Sequence, residues 1–403
     1  MTPVKILYID SSVGIGGSTT CLKNLVSNLN RQKYEPIIAF IFQKKSIIVN
    51  EYFKDQNVIF LRGINSEVYL AIMSVIEKNK MLKRISLDKI FIFLAKLIFE
   101  RIFSFMKIFS LLKREKIGIM HLNNGASLSA IFAAKIAHVP CVSTIRSFSS
   151  YSSGEGLFYR MADRLIPVSN SVKESIIKNF KVATKKVEVI YDGIEQNSVV
   201  TLSADGKEEI REKYNLDSSA IIGTMGRLVP FKKQEIMIMA VDKLIKNGMN
   251  IKCLIVGAAE NDSNSIRYAN NLKDLVKKLN LSHHVRFMGF QDNPFEIIES
   301  FDVFVLPSIL EPFGMVVLEA MSLGIPVISF DKGGPSEIIR DREDGILVPV
   351  GDINALAEAI DLLLRDRGLY EKISKNAFLK VKNEFTIQKN INKYENLYES
   401  LIS

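Results

Sequence analysis

Residues Glu311–Ser329 read EPFGMVVLEAMSLGIPVIS, and the punctuation of this stretch decides the fold. An apolar run, Val303 to Leu306, leads into Pro307 and Ser308, the pattern of a buried strand running into a loop. Pro312 fits the first turn of a helix, where its missing N–H removes nothing, so a helix is expected to begin at Glu311–Pro312. Residues 314–323 favour that helix, Gly324 stops it, and Ile325-Pro326-Val327-Ile328 opens another strand. Such a strand–loop–helix–strand unit places its loop at the carboxyl end of a parallel strand, where open α/β sheets bind ligands.

Chemistry is written into the same residues. Gly314 lets an anion approach the backbone, and the first N–H groups of the helix, on Gly314, Met315 and Val316, point at it. Glu319 lies ~7.5 Å further along the axis by helix rise, a spacing that separates a phosphate from the ribose of one nucleotide. Its carboxylate accepts hydrogen bonds only, and two ribose hydroxyls suit it. Glu311 faces the other side of the phosphate, where a sugar would hang. The plain alternative is a helix with two solvated glutamates, Glu311 merely favouring the positive helix end.

The stretch resembles the E-x7-E signature of the family 4 (group 1) retaining glycosyltransferases of the GT-B fold. Glu311 and Glu319 match its two glutamates, with Phe313-Gly314 and apolar residues between. The resemblance implies an α/β chain of two doubly wound, Rossmann-like domains facing a cleft.

At 403 residues the chain accommodates two domains, and 47% hydrophobic with 24% charged residues is an ordinary globular composition. Cys21, Cys141 and Cys253 are far apart and odd in number, so they read as buried small hydrophobes in a reducing compartment. Met1 to Asp10 has no signal-peptide pattern, and a cytoplasmic location is expected. The net charge of +9 suits nucleic acid, an anionic membrane or phosphorylated substrates.

Val4 to Ile9 reads as the first strand, with a helix starting near Ser18. The glycines before it do not complete G-x-G-x-x-G, because Thr19 stands where the third Gly would be. No acidic residue ends the next strand, Pro36 to Phe42, so a dinucleotide site is rejected. Gly16 and Gly17 resemble the family's glycine pair near the donor and acceptor phosphates; a tight turn accounts for them equally.

Residues 67–116 form a basic, apolar insertion. From Ile76 to Lys116 there are eleven basic residues against four acidic ones, most of the chain's excess. Lys96, Arg101 and Lys107 interrupt the apolar run too often for a bilayer span. The segment reads either as a helix lying in a membrane interface, giving peripheral contact with the inner face of the cytoplasmic membrane, or as a core helix flanked by solvated lysines. No binding motif for nucleic acid accompanies the charge, and no nucleic-acid partner is expected.

Strands at Ile117–His121 and Pro140–Ile145 flank a helix ending at His138. The resemblance places a His just after the second strand; here Arg146 stands there, a better phosphate ligand and no base at neutral pH. The four histidines have no metal spacing, and core or surface roles are expected of them. Asp163–Ser169 and Val187–Gly193 resemble the family's last strands in this domain, which is taken to end at residue 194, with Asp192 where Asn is usual.

The second domain, 195–380, opens with a strand to Gly226, followed by RLVPFKK, Arg227–Lys233. Arg227 and Lys232 match the family's G-R-L…K-G cations, with Lys233 in the Gly position as a rival for the same task. Gly257 ends the next strand, which resembles part of the family's nucleotide-binding half. Asp331-Lys332-Gly333-Gly334-Pro335-Ser336-Glu337 resembles the G-G-x-x-E loop and faces the phosphates or caps its helix through Glu337. The last helices, Asn354–Leu364 and Leu369–Leu401, are expected to close the domain, with 381–403 returning to the first.

The resemblance thus implies transfer of a sugar from a nucleotide diphosphate donor to a hydroxyl of a glycan, lipid-linked by the charge argument, in surface polysaccharide or glycolipid synthesis, with retention. Arg227, Lys232 and Glu311 would be catalytic. Gly16, Gly17, Arg146, Gly226, Gly257, Phe313, Gly314, Met315, Val316 and Glu319 would bind the donor. No D-x-D string occurs, and neither metal nor cofactor is expected. A nucleotide-sugar isomerase of the same fold and a non-catalytic sugar-nucleotide-binding subunit are the alternatives.

Overall fold

The computed structural model describes residues 2–10, 16–41, 47–61, 87–125, 127–148, 155–195, 204–214, 216, 219–291 and 293–402; side chains of 47, 48, 50, 87–100, 155, 204–208 and 294 lie outside the description. The chain divides into two compact units. One comprises Met1–Val168, Lys173–Ile190 and Ile391–Ser403, the other Ser169–Val172 and Tyr191–Asn390.

In the first unit β1 (Val4–Asp10), β2 (Tyr34–Phe40), β3 (Asn57–Phe60), β4 (Ile119–Asn123), β5 (Cys141–Ile145) and β6 (Arg164–Pro167) make one parallel sheet, ordered β3-β2-β1-β4-β5-β6. Its helices are α1 (Gly17–Asn28), α2 (Ile47–Tyr52), α3 (Leu87–Arg114), α4 (Leu128–Ala137) and α5 (Glu155–Met161), with α6 (Asn170–Phe180) following β6. The central strands are buried along almost their whole length, as sheets covered on both faces must be. The last turns of the chain complete this core. Tyr398 meets Tyr8 at 3.0 Å and His121 Nδ1 at 2.6 Å, and Tyr394 meets Thr144 Oγ1 at 3.0 Å.

The second unit repeats the plan. After α7 (Ala204–Lys213) come β7 (Ala220–Met225), α8 (Gln234–Lys246), β8 (Ile251–Val256), α9 (Ser263–Lys278), β9 (Val285–Gly289) and α10 (Pro294–Glu299). Then follow β10 (Val303–Leu306), α11 (Met315–Ser322), β11 (Val327–Phe330), α12 (Pro335–Ile338), β12 (Ile346–Val348), α13 (Ile353–Arg365), α14 (Arg367–Glu384) and α15 (Ile387–Ile402), whose residues from Ile391 on belong to the first unit. The sheet is parallel and ordered β12-β11-β10-β7-β8-β9. Each unit is therefore a doubly wound α/β domain, with the reversal of strand order between β1 and β4 in one and between β7 and β10 in the other.

Three expectations are corrected. The helix after β10 begins at Met315, not at Glu311–Pro312, because Gly314 takes a left-handed φ of +104° that no helical residue adopts. Val187–Gly193 is not a strand; it makes a single bridge, Val187 to Leu165. Leu369–Leu401 is two helices, broken at Phe385-Thr386, where Ile194 N–H bonds Phe385 O at 2.9 Å. Gly193 makes that approach feasible, since a Cβ there would stand 2.5 Å from Thr386 O. Of the insertion at 67–116, residues 67–86 lie outside the described residues. No helix among the described residues is long and apolar enough to cross a membrane.

Candidate active site

The reversal of strand order in the second unit puts the loops after β7 and β10 side by side, and the candidate residues arrive on them. Ile309 N–H bonds Phe231 O at 3.1 Å, tying the β10 loop to the short 3-10 turn Pro230–Lys232. Lys232 folds back over Gly226, whose φ of +153° is one that residues with a side chain rarely adopt. Its Nζ lies 2.5 Å from Glu311 Oε2, with the two side chains only 14% and 11% exposed. Lys233, in contrast, turns to Glu235 of its own helix at 3.1 Å. The lysine gathered into the site is Lys232.

Glycines then set the shape. A Cβ on Gly257 would stand 2.0 Å from Gly226 O, so the loops after β7 and β8 touch backbone to backbone. On the other side, a Cβ on Gly333 would meet Glu311 O at 2.5 Å, and one on Gly334 would meet Phe313 Cα at 2.2 Å. Gly334 N–H bonds Glu311 O at 2.9 Å. The Gly-Gly turn thus braces the Glu311–Phe313 segment, and any larger residue would push it away.

Just past that brace the amides of Gly314, Met315 and Val316 have no acceptor among the described residues, the usual state of a helix start. One and a half turns on, the Glu319 carboxylate has no hydrogen-bond partner among the described residues, and enclosure by the protein pushes its pKa up to about 7. A half-buried acceptor without a donor is poised for one that arrives with a ligand.

In the first unit, Gly16 caps α1 in an extended conformation, and nothing among the described residues lies within 4 Å of a Cβ on Gly16 or Gly17. Arg146, after β5, donates through Nε to Asn123 Oδ1 at 3.1 Å. Asn123 in turn donates through Nδ2 to Asp10 Oδ2 at 2.9 Å and to Ser18 O at 3.2 Å. This buried relay crosses the point where the strand order reverses, joining the ends of β1, β4 and β5 to the first turn of α1.

The family profile "Glycosyl transferases group 1" matches residues 206–380, and "Glycosyltransferase Family 4" matches residues 15–198. The chain is 30% identical over 316 residues to a UDP-Gal:alpha-D-GlcNAc-diphosphoundecaprenol alpha-1,3-galactosyltransferase of Escherichia coli, covering 74% of this chain and 79% of that protein. It belongs to the family 4/group 1 glycosyltransferases. A capsular polysaccharide biosynthesis glycosyltransferase of Staphylococcus aureus, CapM, is 29% identical over 60% of this chain and 62% of its own length. Among solved structures, HepE of Anabaena in complex with UDP superposes with a TM-score of 0.79, covering 98% of this chain and all of that one at 20% identity. The likeness to HepE shows the same fold, two Rossmann-like domains of the GT-B kind.

Not every expected residue is brought to the glycosyltransferase site. Arg227 is drawn away to Glu260, both being about half exposed. Such a pair is worth little, so Arg227 is easily recruited by a stronger anion. The Phe313 ring is buried, stacked on Tyr191 at 5.6 Å and next to Phe385 at 6.2 Å. Only its backbone is left for a ligand. Gly257 serves loop packing. Glu337 does not cap its own helix: it accepts from the N–H groups of Asn170 and Ser171, both at 2.7 Å, and from Tyr191 Oη at 2.9 Å. His121 is a core residue with both ring nitrogens bonded, and burial, then the Arg146 charge, lower its pKa to about 3.

Asp10 and Asn123 were not among the sequence candidates. Their signal was there, an acid and an amide each closing a central strand, but nothing in the sequence pairs positions so far apart.

Proposed function

We propose that this glycosyltransferase moves a sugar from a nucleoside diphosphate donor to a hydroxyl of a lipid-linked glycan, with retention and without a metal ion, in the cytoplasm. The observation that carries the reading is the grouping of Lys232, Glu311, the amides of Gly314, Met315 and Val316, and an unpartnered Glu319 at the ends of β7 and β10.

Lys232 has three N–H donors and one goes to Glu311, so two remain for the diphosphate without breaking the pair. The α11 amides face the same charge. Glu319 takes the ribose hydroxyls and Glu311 those of the transferred sugar. As the bond from the anomeric carbon to the phosphate oxygen breaks, the acceptor oxygen bonds that carbon from the same face, and its proton passes to the departing phosphate. Lys232 and the amides stabilise charge that grows on departure, which is where stabilisation raises turnover. The E. coli relative's diphosphoundecaprenol acceptor and UDP-sugar donor support the lipid-linked and nucleotide parts of the reading.

The test is a panel of nucleotide sugars with a lipid-diphosphate glycan acceptor, the product anomer read by NMR. A retained anomer made in EDTA is expected. An inverted anomer overturns retention, and EDTA inactivation rescued by magnesium overturns the metal-free scheme. Conversion of the donor sugar without acceptor would favour an isomerase.

A further inference from the structure

In the second unit several donors converge on one carboxylate. Glu337 Oε2 accepts from the Asn170 N–H at 2.7 Å, from Asn170 Nδ2 at 3.1 Å and from Tyr191 Oη at 2.9 Å. Its Oε1 accepts from the Ser171 N–H at 2.7 Å. Asn170 Nδ2 also donates to Tyr191 Oη at 2.8 Å, so that hydroxyl accepts from Asn170 and aims its own proton at Glu337. The negative charge lies at the start of α6, where the helix dipole favours it. A cap for α6 needs no more than the two N–H groups, and Ser169 Oγ already accepts from the Val172 N–H there, at 3.2 Å. Capping leaves the Tyr191 bond unexplained.

Two short paths lead from Glu337 to the candidate site. Along α12, Gly334 stands one turn ahead of Glu337, about 4.5 Å by helix rise, and its N–H bonds Glu311 O at 2.9 Å. Through Tyr191, the ring that carries the hydroxyl stacks on the buried Phe313 ring at 5.6 Å, with 14° between their planes. The segment Glu311–Phe313 is therefore fastened at both ends to one carboxylate, at its first residue by a backbone bond and at its third by a ring. Helix α11, which follows, has its own anchor: Val317, Leu318, Ala320 and Met321 are buried. Loosening Glu337 or Tyr191 would thus move Glu311 and leave the α11 amides and Glu319 where they are.

We infer that Glu337 and Tyr191 are positioning residues for Glu311: through Gly334 and Phe313 they hold its carboxylate against the transferred sugar. The inference rests on the role proposed for Glu311. A misplacement of about 1 Å near a reacting centre costs on the order of a hundredfold in rate, so kcat reports these residues and nucleotide affinity does not. Turnover of the full-length protein is measured on the nucleotide sugar and acceptor that the panel identifies, beside calorimetric binding of the matching nucleoside diphosphate and thermal unfolding. Tyr191→Phe keeps the ring on Phe313 and removes the bond to Glu337, and kcat should fall at least about tenfold. Tyr191→Leu removes the stacked ring as well, and the fall should reach at least about a hundredfold. Both should bind the nucleoside diphosphate within about threefold of wild type. Ser169→Ala weakens the α6 cap alone; it should lower the unfolding temperature and leave kcat within about twofold. Tyr191→Phe with wild-type kcat would overturn the inference. So would a Ser169→Ala variant that loses kcat as Tyr191→Phe does, since capping would then account for the effect. Glu311→Gln tests the reading beneath: wild-type turnover there, or no turnover by wild type on any donor, removes that reading and the inference with it. A fall in Glu311→Gln without one in Tyr191→Phe removes the inference alone.

Discussion

Replacing Glu319 with Gln separates what this residue does for the fold from what it does for a nucleotide. Enclosure moves the carboxyl from its ordinary 4.5 to about 7, equivalent to about 3 kcal/mol against the ionised form. In the unfolded chain the group loses its proton near 4.5, in the folded chain only near 7. Below 4.5 both states hold the proton and stability is intact; as pH rises through 7 it is lost. Linkage gives a deficit of about 1 kcal/mol at pH 5.5 and about 3 kcal/mol at pH 8. Glutamine carries no such proton, so Glu319→Gln should gain about 2 kcal/mol on wild type between those pH values. Urea unfolding at each pH reads the difference. Nucleotide affinity, measured by calorimetry, should move the other way, falling by about 1.5–3 kcal/mol as a charged acceptor is lost. A variant whose stability relative to wild type is the same at both pH values would refute the argument, because the penalty would then not come from ionising an enclosed acid.

Lys232→Ala should lower turnover at least about a hundredfold while Lys233→Ala changes it less than about threefold, and steady-state kinetics of the two decide which lysine serves the diphosphate. Gly334→Ala forces a methyl against Phe313 and should destabilise the second unit by about 2–4 kcal/mol with loss of donor binding, read by denaturation and calorimetry. Asp10→Ala should weaken substrate binding through a misplaced Arg146, raising KM more than it lowers kcat; an unchanged KM in a folded variant would remove the relay from the reaction.

Much of this molecule is legible locally, and what is not has a common cause. The Glu311–Ser329 unit could be read because each turn carries its own Pro or Gly and each strand its own apolar run. The start of α11 is not legible in the sequence because a proline suited to a first turn also suits the loop before it; only the left-handed Gly314 fixes the boundary. Arg227 was assigned by motif, but Glu260, 33 positions away, decides where it points. Asp10 with Asn123, and Glu337 with Asn170, are likewise long-range pairs whose members look like ordinary strand and turn residues in isolation.

The tyrosines of α15 also bear on how the protein is made. Tyr8, His121 and Thr144 stand in the middle of the first sheet, and their hydroxyl and ring partners are Tyr394 and Tyr398. While the ribosome is still producing the second unit, a nascent first unit holds these polar groups over an unfilled gap. Its core closes only when α15 has been made and has folded back. A transcript that stops short of α15 would therefore damage the part of the enzyme synthesised first, and a chaperone would meet the amino-terminal unit as the late folder.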